Sequence, residues 1–204
     1  MAAELVAERT DAQTHRFELE FIPPSRRFDV HIATLDEIPA LLSFTAGYLP
    51  AVEAARLALH AIQEKSQSLL AIGARGKLVG AFALMSLNDR GLELLLGGRL
   101  SIADPDLSCL TRPDERASAI YAWALCLPGA GVGAVGNLMT WLRQPSYIGC
   151  DIYACAGSTD GDRFIRKTGF QQLPQSLNGR PIWVYRRRNA QALVRKGNCD
   201  DAIC

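Results

Sequence analysis

No two cysteines stand in a Cys-x-x-Cys spacing, so the six at positions 109, 126, 150, 155, 199 and 204 give no zinc signature and are expected to be reduced thiols of a cytoplasmic protein. No metal site is expected. No signal peptide is legible at the N-terminus. Nor is there a run of about eighteen uninterrupted apolar residues, as a membrane span requires; the nearest candidate, residues 117–135, is broken by Pro128 and by glycines. Neither sign of charge is in excess, with 22 Lys and Arg against 21 Asp and Glu, which removes the counterion-release term that drives nucleic-acid binding. The only basic cluster, Arg186-Arg187-Arg188, reads as a solvated strand end. The three histidines, His15, His31 and His60, are scattered and receive no role. Internal repeats and low-complexity tracts are also missing.

What is present is 204 residues, 49% of them apolar, enough for one domain with its own core. The ends differ from the middle. Residues 1–16 are expected to form a mobile leading segment, 17–188 a single domain, and 189–204 a mobile tail without apolar periodicity.

Alternation predicts short strands over residues 17–22 and 28–33. Thr34 with Glu37 has the spacing of a capping box and opens a helix through Ile38, Leu41 and Leu42; a second helix follows from Pro50. Residues 69–74 and 78–87, joined through Gly76, predict a β-hairpin. Residues 88–116 break the rhythm and read as an insertion with its own helical turn. Residues 117–127 are apolar on both faces, as a covered central strand should be, with Tyr121, Trp123, Leu125 and Leu127 expected on one face and Ile120, Ala122, Ala124 and Cys126 on the other. Pro128 ends that strand, the run GAGVGAVG turns the chain, and a helix begins near Leu138. A further strand (147–156), a short helix closed by Gly169 and a last strand (182–185) complete the pattern. Asp151, a carboxylate on an apolar strand, requires a partner.

A glycine-rich turn between a buried strand and a helix gathers backbone N–H groups and the positive end of the helix dipole at one point, an arrangement suited to a pyrophosphate. Two readings share it. Gly131-Val-Gly133-Ala-Val-Gly136 satisfies the G-x-G-x-x-G dinucleotide pattern, with Asp151 near the place of a ribose-binding acid, which would make the chain an NAD(P)-dependent oxidoreductase. That pattern normally opens a domain, whereas here only a β-α-β remainder follows it.

The order of elements, together with DGDRFIRKTGFQQL at 160–173, resembles the GCN5-related N-acetyltransferases, or GNAT superfamily, over about residues 28–187. The resemblance implies a mixed α/β fold, a central mixed sheet flanked by helices, with 88–116 inserted between the third and fourth family strands. It implies acetyl-CoA or another acyl-CoA as cosubstrate, its pantetheine arm along Leu125, Cys126 and Leu127 and its pyrophosphate on Gly129, Ala130, Gly131, Val132, Gly133 and Ala134. The family's Arg or Gln slot in this loop holds Pro128 or Ala130, depending on which residues are matched, so binding there would rest on backbone N–H groups and the helix N-terminus, with no cation from that slot. The Asn and Tyr frequent in the family's later helical motif are replaced by Ser158 and Ile165.

The implied reaction moves an acetyl group to a primary amine of a small molecule or peptide, with no nucleic acid or membrane involved and a homodimer compatible with it. An amine with a pKa near 10 must lose a proton before it attacks, so a base matters more than an acid, and strand N–H groups near 125–127 would face the developing oxyanion. The chain's nearest carboxylates are Asp151, Glu93 and Glu115; Tyr121 offers a hydroxyl, and Ser158 opens the helical motif. The rival in another class is a non-catalytic acyl-CoA-binding domain of the same fold.

Overall fold

The structure, a computed structural model, describes residues 19–46, 48 and 56–187; the leading segment 1–16, the helix start at Pro50 and the tail 189–204 lie outside the described residues. Seven strands form one sheet: β1 (Asp29–Ile32), β2 (Leu69–Ala74), β3 (Lys77–Leu87), β4 (Ala119–Cys126), β5 (Asp151–Cys155), β6 (Gln171–Leu177) and β7 (Arg180–Tyr185). Their spatial order is β1-β2-β3-β4-β5-β7-β6, and β4 with β5 is the one parallel pair among the described residues. A doubly wound dinucleotide-binding sheet is predominantly parallel, so the oxidoreductase reading of the glycine pattern has no support in this architecture.

Helices cover both faces. On one lie α1 (Ile38–Ala46), α2 (Arg56–Ser66) and α3 (Asp89–Leu96), burying Ile38, Leu59, Ile62 and Leu95. On the other lie α4 (Val135–Trp141) and α5 (Thr159–Lys167), whose Leu138, Met139 and Ile165 meet Phe82, Leu84, Ile120 and Ile152 of the sheet. Local chemistry sets the helix starts. The Thr34 N–H donates to Glu37 Oε2 at 2.8 Å ahead of α1, and Ser158 Oγ accepts from the Gly161 N–H at 3.1 Å to cap α5. No helix among the described residues is long and apolar enough to cross a membrane.

Several sequence expectations change. The strand expected over 147–156 spans only Asp151–Cys155, with residues 147–149 in turns, and β6 is an unexpected strand. The expected strand over 17–22 is, where described, a 3-10 turn at Leu19–Phe21, followed by Pro23-Pro24. The insertion 88–116 holds a whole helix, α3, capped by Asn88, and a 3-10 turn at Leu107–Cys109 capped by Asp106. Its Asp106 pairs with Arg90 at 3.0 Å, so part of its acidity is consumed internally. Arg187 is not solvated: its side chain is 3% exposed, and it donates to the carbonyls of Leu142 (2.9 Å) and Tyr147 (2.8 Å) and to Glu20 Oε1 (3.2 Å).

Candidate active-site cleft

The site begins with one extra residue in β4. Leu84 pairs with Ala122 and Ala83 with Ala124, so Trp123 is a bulge, opposite no residue of β3. It resets the alternation. Tyr121 and Trp123 face the α1–α3 side, as do Ala124 and Cys126, while Ala122, Leu125 and Leu127 face α4 and α5. The expectation of strict alternation through residues 117–127 is corrected at this point.

A bulge bends its strand and raises the local twist. The register of β4 with β5 stops at Ala122–Ala154, one residue before the bulge. Beyond it the two strands separate, leaving the facing edges of 123–127 and 155–158 without a strand partner. A cleft of about 450 Å³ opens there, walled by Trp123, Leu125 and Cys126 from β4, by Cys155 and Ser158 from the end of β5, and by Val135 and Met139 from α4.

At the mouth, Gly129–Ala134 form a 3-10 turn that runs into α4. The Gly131 N–H donates to the Pro128 carbonyl at 3.0 Å. Gly129 and Ala130 open the turn, where no carbonyl of the same turn can accept from their amides. Packing accounts for the other glycines. A Cβ on Gly131 would stand 3.1 Å from the Val79 carbonyl oxygen, one on Gly133 would stand 3.0 Å from the Phe28 ring, and one on Gly136 would stand 2.2 Å from the Pro23 carbonyl oxygen. Asn137 holds the same approach, accepting from the Ser25 N–H at 2.8 Å and donating to the Ser25 and Phe28 carbonyls. Gly129 alone needs the left-handed backbone, at φ +54°.

The structure brings Leu125, Cys126, Leu127 and Val132 together on the cleft wall, with Ser158 across from them. Ser158 is already engaged as the α5 cap. Tyr121 is buried on the opposite face of the sheet, beside Cys155; burial, with the neighbouring thiol second, pushes its hydroxyl well above the ordinary tyrosine range, so it stays protonated. Burial also raises the Cys155 thiol, with the Tyr121 hydroxyl and Arg180 opposing it. Asp151 lies at the far end of β5, away from the separation, in an ion pair with Arg186 and accepting from the Arg187 N–H at 3.1 Å. Sequence reading missed Asp160, Tyr48 and the thiol of Cys155 as wall residues. Asp160, in the first turn of α5, pairs with Arg163 at 3.2 Å and is the only carboxylate on the wall among the described residues. Its place beside the capping Ser158 was the one signal available in the sequence.

No family profile and no curated protein matches the sequence. Solved structures do match the fold. The chain has the fold of the GCN5-related N-acetyltransferases. Similar structures include the loading GNATL domain of CurA from Lyngbya majuscula (13% identity, 78% of this chain and 97% of that one, TM-score 0.52). Another is a Salmonella typhimurium acetyltransferase that modifies the N-terminal serine of ribosomal protein L7/L12 (14% identity, 82% and 99% covered, TM-score 0.51). A third is PH1933 from Pyrococcus horikoshii OT3 (11% identity, 79% and 99% covered, TM-score 0.51).

Proposed function

We propose that the chain is an acyltransferase that moves an acyl group, in the simplest case the acetyl of acetyl-CoA, to a primary amine of a small molecule or peptide. The observation that carries this is the separation of β4 from β5 at Ala122–Ala154, which leaves two strand edges facing a cleft with a glycine turn at its mouth. Pantetheine carries amide groups, and an extended amide-bearing arm can add to free strand edges as a further strand does. The Gly129 and Ala130 amides, with the turn's positive dipole end, suit its pyrophosphate. The β4 amides next to the junction, at Trp123 and Ala124, would face the thioester oxygen. Asp160, the one carboxylate among the described wall residues, is the candidate to take the proton from the incoming amine; the C–S bond then breaks, the CoA thiolate leaves and takes up a proton from water, and Tyr121 acts only through Cys155, as a positioning residue.

One observation favours a non-catalytic acyl-CoA-binding role instead: among the described residues no Lys, Arg or His lines the cleft, and Ser158 is committed to its cap. Thermal unfolding with CoA, acetyl-CoA and NADH, followed by CoA-thiol release over a panel of amines, separates the readings. Stabilisation by CoA and not NADH, turnover with at least one amine, and a loss of about tenfold or more in kcat for Asp160→Asn are expected. CoA binding without turnover would favour the binding-domain reading. Absence of CoA binding would overturn both.

A further inference from the structure

We infer that the cleft continues past the separation of the strands as a dry channel for the donor's acyl tail, so that the preferred donor carries an acyl chain of about six to eight carbons rather than acetyl. This rests on the acyltransferase reading and gives the substrate class of the same site.

The direction of the donor follows from the placement of the glycine turn. Its anionic end sits at Gly129 and Ala130, just after the end of β4, so the carrier arm must run back along β4 from Leu127 toward Trp123. Four residues of strand span about 13 Å. That brings the thioester to the point where β4 and β5 rejoin, at Ala122–Ala154, and directs whatever is attached to its carbonyl beyond that point.

The cleft does not stop at that point. Its wall includes Ile152, two residues further down β5, together with Leu19, Leu138, Met139, Leu142 and Phe170. These residues belong to the buried core on the α4–α5 side and are at most 8% exposed. Their placement decides what can enter. Below Ala122–Ala154 the backbones of β4 and β5 are bonded to each other, so no strand edge is free to meet the amides of a carrier arm. Among the described residues the wall there offers hydrocarbon and the Met139 thioether, with no polar side chain. Water has no partners in such a space, while an alkyl chain recovers the contacts that a void forfeits. Alanine at 122 and 154 keeps the entrance clear of side-chain bulk. Two strand residues below the junction correspond to about 6.6 Å, the length of roughly five carbons of an alkyl chain beyond the carbonyl.

Binding of free CoA and of acetyl-, butyryl-, hexanoyl-, octanoyl- and dodecanoyl-CoA to the intact chain by titration calorimetry tests this. Each buried methylene gives up to about fourfold in affinity, so hexanoyl-CoA is expected to bind at least about tenfold tighter than acetyl-CoA, with the gain ending by dodecanoyl once the channel is full. Met139→Phe, which narrows the channel, is expected to reduce the hexanoyl-to-acetyl ratio by at least about fivefold. A wild-type ratio below tenfold, or a gain that keeps the same step through dodecanoyl as partition onto an open surface would, overturns the inference while leaving the acyltransferase reading standing. Should free CoA itself not bind, it is the acyltransferase reading that fails. The wild-type series decides the matter even if Met139→Phe does not fold.

Discussion

Tyr121 shows how a residue's environment fixes its use. Held above its ordinary pKa of about 10, it cannot supply a phenolate, but it can keep a proton on the Cys155 side of the sheet. The linkage has a definite sign. The unfolded chain releases this proton near pH 10 and the folded chain does not, so its contribution to stability is complete below about pH 10 and is lost as pH rises further. Urea unfolding between about pH 8 and 11 should therefore show stability falling at the alkaline end, and Tyr121→Phe should flatten that fall. Tyr147, Tyr153 and the thiols of Cys109, Cys126, Cys150 and Cys155, also raised by burial, leave a residual slope in the variant. At this scale the sequence was informative about need and silent about partners. A carboxylate at Asp151 on an apolar strand required a partner, and Arg186 supplies it from 35 residues away. Arg187, read as solvated with its neighbours, closes around two carbonyls and Glu20, because nothing in a basic triplet says which member turns inward.

At the scale of elements, legibility followed contrast. The capping pair Thr34 and Glu37 and the terminating Gly169, at φ +84°, could be read because each residue type has one strong local reason to be there. β4 could be recognised as buried from its apolar run, but its faces could not be assigned, since a strand apolar on both sides carries no alternation to betray a bulge at Trp123. Long-range packing was equally hidden. The glycines at 131, 133 and 136 looked like a phosphate signal in sequence, yet each lies against a segment distant in the chain. Gly136 is the sharpest case. Gly136→Ala would place a methyl 2.2 Å from the Pro23 carbonyl oxygen, and a loss of about 1–3 kcal/mol is expected in urea titration as the preceding chain is pushed from α4.

For the whole molecule, the order of elements was the dependable part of the sequence, and it led to the mixed sheet that the structure displays. The cleft was not legible, because it arises from two strands parting and no local pattern encodes that. If the strand edges there hold the donor's arm, saturating CoA should slow amide exchange selectively at residues 123–130 and 155–158. At a concentration about one hundred times its Kd, it should also stabilise the fold by about 2.7 kcal/mol. Uniform protection across the sheet, or none in those two stretches, would place the ligand elsewhere.

The two outer margins of the sheet are poor hosts for a foreign strand: β6 is interrupted at Pro174 with its register broken, and β1 is four residues long and bears Asp29 and His31. The vacant hydrogen-bonding seam lies in the interior, roofed by α4 and α5. Edges enclosed in this way are harder for a foreign strand to reach than a sheet margin is.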